Sequence, residues 1–210
     1  MSPAIAKQDG KAQLRIICVS SLAENQEVVI ASLNPEGKWS EHGTITLRPS
    51  LVSDWLPAPL GELHLALREN NTLKSICHFP LPADTNRVLV ALVADAEKNT
   101  YEAQVVDPVK LEFVKGSVLI FNFSTHPGII LLGSKEEKVD AGQRAVAKPV
   151  FDDSRMYQTV VSYLDAEGKS VSCYDRYVSS NPNARNMLFL QPDKTLGVRV
   201  SSLPLFGEFK

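Results

Sequence analysis

Val118-Leu-Ile-Phe-Asn-Phe-Ser-Thr125 lines up with Leu14-Arg-Ile-Ile-Cys-Val-Ser-Ser21, and the landmarks that follow each stretch recur in the same order. Lys74-Ser-Ile-Cys-His-Phe79 is matched by Lys169-Ser-Val-Ser-Cys-Tyr174, Arg87-Val-Leu-Val-Ala-Leu92 by Arg185-Asn-Met-Leu-Phe-Leu190, and Val105-Val-Asp-Pro108 by Ser201-Ser-Leu-Pro204. Few letters are identical, so order, polarity and spacing carry the match. It predicts an internal duplication: a flexible lead-in over 1–11, one unit over 12–108 and a similar one over 109–210, closely packed.

Within Val118–Phe123, Val118, Ile120 and Asn122 fall on one face of a strand and Leu119, Phe121 and Phe123 on the other. A strand apolar on both faces is covered on both sides. Leu14, Ile16 and Cys18 against Arg15, Ile17 and Val19 repeat the pattern. By contrast, Leu63, Leu65 and Leu67 alternate with His64, Ala66 and Arg68, as in a sheet with one wet face. Similar short runs, ended by Gly, Pro, Asn or Asp, predict strands near 13–20, 26–33, 43–48, 61–68, 73–79, 87–94 and 100–106. The second half gives 117–123, 128–132, 143–148, 157–164, 170–177, 185–191 and 196–202. The expected fold is all-β, with two similar seven-stranded β-sandwich units.

Turn chemistry supports these limits. Asn34-Pro-Glu-Gly37 and Asp165-Ala-Glu-Gly168 put glycine where a tight turn needs positive φ, and Glu69-Asn-Asn-Thr72 occupies the place of the latter in the first half. Lys135-Glu-Glu-Lys138 reads as a charged hairpin tip. Ser50–Leu56 has apolar residues at 51, 52, 55 and 56 and reads as a helical turn ended by Pro57 and Pro59. Asp107–Lys115 is the expected junction.

A net charge of −2 over 210 residues argues against nucleic acid, because a polyanion needs a dominant cationic patch. No run of apolar residues is long enough for a transmembrane helix. Met1–Gly10 is too short and polar to hold a signal-peptide core, which suits either a frayed lead-in or an exported protein whose signal peptide is absent from this chain. Cys18, Cys77 and Cys173 form no CxxC pair, so a zinc knuckle and a dithiol site are both excluded. Cys77 and Cys173 fall at equivalent places in the two halves, either as small buried core residues or as a disulfide across a two-fold axis.

No phosphate-binding glycine loop, His-Glu-x-x-His or Gly-x-Ser-x-Gly sequence occurs, and no catalytic residue, metal ligand set or cofactor is expected. His42, His64, His78 and His126 lie in separate strands or turns; a hydrolase would have to assemble His64 or His126 with an acid through the fold. Asp152 and Asp153, with Asp140 upstream, read as a solvated turn rather than a calcium site. Sugar recognition needs aromatic rings on loops or on one sheet face, and Trp39 and Trp55 are the candidates. The alternative for each is a plug at a sandwich end. Arg87 and Arg185 begin equivalent strands, where a guanidinium can tie the incoming loop. Asn122-Phe-Ser124 matches the glycosylation tripeptide by accident, because it sits inside a two-sided apolar strand.

Val118–Ser124, followed by Ile129-Ile-Leu-Leu-Gly133 and Val139-Asp-Ala-Gly142, resembles small β-sandwich domains of unknown function in exported bacterial proteins. Cys18 in place of Asn122, and the lack of a glycine after Val28–Leu33, set the first half apart. The resemblance implies a periplasmic or secreted location and carries over no functional residues. The function expected is a non-catalytic binding or structural component of a bacterial envelope or secreted assembly, with a protein partner or a glycan as ligand.

Overall fold

A computed structural model of the chain describes residues 10–151, 156–179 and 181–206. Most of the expected lead-in, and the Asp152–Asp153 pair, lie outside the described residues. Among those described there is no helix. The chain divides into two compact units, Met1–Asp107 and Pro108–Lys210.

In the first unit the strands are β1 (Lys11–Cys18), β2 (Gln26–Leu33), β3 (Trp39–Leu47), β4 (Leu51–Val52), β5 (Leu56–Pro59), β6 (Gly61–Glu69), β7 (Thr72–Leu81), β8 (Arg87–Asp95) and β9 (Thr100–Val106). One sheet runs β4-β1-β8-β9, with β5 also on β1; the other runs β3-β2-β6-β7. Leu14, Ile16, Val88 and Val90 from the first sheet meet Val28, Ile30, Leu63 and Leu65 from the second, so the core lies between two stacked sheets. All pairings are antiparallel except β1 with β8.

The second unit comprises β10 (Val118–Asn122), β11 (Gly128–Leu132), β12 (Lys135–Val139), β13 (Arg144–Ala147), β14 (Met156–Leu164), β15 (Ser170–Ser179), β16 (Arg185–Asp193) and β17 (Gly197–Leu205). Its sheets run β13-β10-β16-β17 and β12-β11-β14-β15, again with the single parallel pair, here β10 with β16. The strand order of the first unit is therefore repeated, β13 taking the place of β4 and β5. Hairpins β6–β7 and β14–β15 also share a bulge, between Leu65 and Ala66 in one and between Val161 and Ser162 in the other.

That bulge corrects the expected match of the cysteines. The extra residue is Ile76 in β7 and Cys173 in β15, so Cys173 corresponds to Ile76 while Cys77 corresponds to Tyr174. All three cysteines are free thiols.

Strands buried on both faces occur where the sequence placed them. Val118 and Ile120 belong to the second unit's core, yet Leu119 and Phe121 on the opposite face are also fully buried. Phe121 stacks on Phe189 with ring centroids 5.3 Å apart. In β1, Ile17 opposite Leu14 and Ile16 is likewise fully buried.

Three segments differ from expectation. Ser50–Leu56 is not helical, because Leu51 and Val52 pair with β1 and the Ser53 hydroxyl accepts the Ile16 N–H at 2.9 Å. Pro57 and Pro59 then lie in the edge strand β5, where a missing N–H costs no ladder bond. Lys135–Lys138 is no hairpin tip but most of strand β12, paired along its length with β11. These additions raise the strand count to nine and eight among the described residues.

The turns follow the sequence closely. Asn34 Oδ1 accepts the N–H groups of Glu36 and Lys38, and Asp165 Oδ1 those of Glu167 and Lys169, while Gly37 and Gly168 take φ of 76° and 77°. Gly133 is under a harder constraint: its φ is 67°, and a Cβ there would lie 1.9 Å from the Val150 carbonyl oxygen.

Candidate functional site

Because Leu63 and Leu65 of β6 point into the core, His64 between them faces outward. His78 of β7 stands directly opposite, and the two rings lie 5.9 Å apart at 32°. Trp39, placed at the start of β3 by the Asn34–Gly37 turn, meets the His64 ring edge-on at 5.1 Å and 90°. In a sheet ordered β3-β2-β6 this contact crosses β2. The β2 residue paired with both Glu41 and His64 is Ala31, whose small side chain leaves the indole room to cross. Trp39 and His64 are half-buried and His78 is exposed, so a contiguous aromatic and imidazole row faces solvent.

Polar groups flank the row. The His64 Nδ1 is 2.9 Å from the Ser75 hydroxyl, which donates to the Cys77 carbonyl at 3.1 Å. The Ser75 hydroxyl thus lies within hydrogen-bonding distance of both the His64 ring and the Cys77 carbonyl, and the His64 tautomer sets which nitrogen donates. Burial, then the neighbouring His78, hold the His64 pKa below its ordinary value against the opposing pull of Glu62. Arg68 and Glu41, exposed on the same face, are paired at 2.6 Å.

Trp55 has a different environment. The Arg15 guanidinium sits 4.6 Å and that of Arg87 5.4 Å from its ring centre. Burial lowers the Arg15 pKa, with Asp54 opposing and Arg87 adding to the effect. Two guanidinium groups against the ring occupy part of its face, and Trp55 itself lies between β4 and β5, half-buried like Trp39. Arg185, at the strand start equivalent to that of Arg87, is buried and donates its Nε–H to the Phe113 carbonyl at 2.8 Å, tying down the segment that enters the second unit. The two arginines share a position but serve different neighbours.

The remaining sequence candidates are held by their own neighbours. Burial pushes the Cys18 and Cys77 thiols up to about 12 and raises that of Cys173, so none is an activated nucleophile. His42 contacts the Ser32 hydroxyl through Nε2 at 2.9 Å, and its pKa is lowered by burial and then by Lys11. His126 donates Nδ1–H to the Leu164 carbonyl at 3.1 Å and packs on Tyr163. Asn122, fully buried, gives its amide hydrogens to the His126 and Val139 carbonyls and accepts the Ser124 N–H and O–H. Among the described residues no group of three or more ligating side chains could hold a metal ion, and no helix is long and apolar enough to cross a membrane.

The histidine pair and its contact with Trp39 were not legible in the sequence. Counting outward from Glu69 and Thr72 sets Cys77 opposite His64, and only the extra residue Ile76 brings His78 into that place. No protein-family model matches the chain, and no curated protein is significantly similar to it.

Proposed function

We propose that the protein is a non-catalytic binding module that holds a carbohydrate on the outer face of sheet β3-β2-β6-β7, with Trp39 as the stacking ring. The observation that carries this reading is the contiguous Trp39–His64–His78 row on one sheet face. The apolar face of a sugar stacks on an indole, while its hydroxyls need donors and acceptors around the ring. Here the imidazoles of His64 and His78 and the Glu41–Arg68 pair supply them. The indole is held by its edge contact, which lowers the ordering cost of binding.

The common strand order and bulge support descent of the two units from a duplicated ancestor. At the bulge-aligned places of His64 and His78 the second unit has Val160 and Asp175, themselves a cross-strand pair, so the scaffold is repeated and the surface row is not. A place in a bacterial envelope or secreted assembly follows from the resemblance of Val118–Gly142 to exported sandwich domains. Tyr177, two-thirds exposed on the edge strand β15, favours a protein contact as the second reading.

Electrophoresis through gels containing soluble polysaccharides tests the proposal. At least one polysaccharide should retard the protein, and Trp39→Ala should abolish the retardation while Trp55→Phe keeps it. Equal mobility in every gel overturns it.

A further inference from the structure

We propose that the first unit carries a second, separate binding site, for a small acid with an apolar body, in the cleft between the edge strands β3 and β4. Strand β3 ends one sheet of the sandwich and β4 ends the other, and between them opens a cleft of about 190 Å³. Ile16, Cys18, Ile45, Leu47, Leu51 and Val52 form its walls. An engineered apolar cavity of about 150 Å³ is enough to admit benzene, so this cleft takes a branched or straight chain of roughly six carbons. The lining is mostly apolar, with Thr46 adding one hydroxyl. Cys18 is held in its neutral thiol form by burial, and the Ser53 hydroxyl is already used by the Ile16 N–H and the Asp54 carbonyl.

The charge at the rim selects the head group. Arg48 borders the cleft, is exposed, and makes no ion pair or side-chain hydrogen bond among the described residues. A cation free at the mouth of an apolar cleft suits a carboxylate, which a guanidinium can bind through two parallel hydrogen bonds. Neutral molecules of the same length gain only the burial of the chain. The opening turn is rigidly placed: the Ser50 N–H donates to the Cys18 carbonyl at 2.8 Å, and Ser50 holds a φ of 60°.

Titration of the whole chain, labelled on isoleucine methyls, with sodium hexanoate reads the site directly. The Ile16 and Ile45 methyl signals should shift and saturate, while those of Ile129 and Ile130 in the second unit stay still. Arg48→Gln should weaken hexanoate binding about tenfold, on the scale of one lost charge-assisted pair, and leave hexanol binding unchanged. Acetate, with the head group and no chain, should give no saturable shift. Unmoved Ile16 and Ile45 signals, or hexanoate binding equally tight to Arg48→Gln, overturn the proposal.

Discussion

The Trp39 indole reaches from one edge strand across β2 to meet the His64 imidazole at 5.1 Å, with the ring planes perpendicular. An edge-to-face pair of this kind contributes about 0.5–1.5 kcal/mol beyond the area it buries. Its geometry depends on Ala31, which is fully buried although it faces outward. Ala31→Leu would insert three carbons between β3 and β6 and push the indole off His64. The expected result is a red-shifted Trp emission, a stability loss of about 1–3 kcal/mol by overpacking, and lost glycan binding. Unchanged emission would show that the indole does not lie over Ala31.

His64 should titrate below its ordinary value of 6.5, because burial and then His78 disfavour its charged form. The sign follows from linkage: the unfolded chain takes up this proton at higher pH than the native state does. The His64 contribution to stability is thus full above about pH 6.5 and is lost as pH falls from there through the lower native value. Two-dimensional NMR of the imidazole protons measures it. His78→Ala should raise the His64 midpoint, and a midpoint above 6.5 in the parent protein would contradict the assignment.

Much of the scaffold could be read from residues alone, because each signal was local. Alternation at Leu63–Arg68, the two-faced apolar runs at 14–19 and 118–123, and the glycines at 37 and 168 each act within a few residues. What escaped was non-local. Strand β4 is two residues long and depends on Ile17 and Cys18 for its pairing, and β12 is too charged to show any apolar period. The site depends on a bulge at Ile76, which becomes visible only when β6 and β7 are set in register. Trp39 was legible as a candidate; its partners were not.

Asn122→Ala should destabilise the second unit more than an ordinary surface change does. Its fully buried amide joins the carbonyls of His126 and Val139 to the Ser124 N–H and O–H. Leaving several buried partners unsatisfied costs on the order of 2–4 kcal/mol. Chemical denaturation checks this. A loss under 1 kcal/mol would mean that the network is dispensable. The same burial predicts that Asn122 stays unmodified when the chain passes through a glycosylating host.

The thiols should behave as packing groups. At pH 8 in the folded protein Cys18 and Cys77, whose pKa values are pushed up to about 12, should resist alkylation, and half-buried Cys173 should react first. Intact-mass analysis after timed iodoacetamide treatment counts the adducts. Rapid labelling of all three before unfolding would contradict the burial described.

Trp39 is the surface on which a carbohydrate would lie. In a Trp55→Phe variant all tryptophan emission comes from Trp39, so titrating that variant with a panel of soluble glycans reads the site alone. The expected result is a saturable change in emission with at least one glycan, lost when His64 is also replaced by Ala. Emission that stays constant across the whole panel would contradict it.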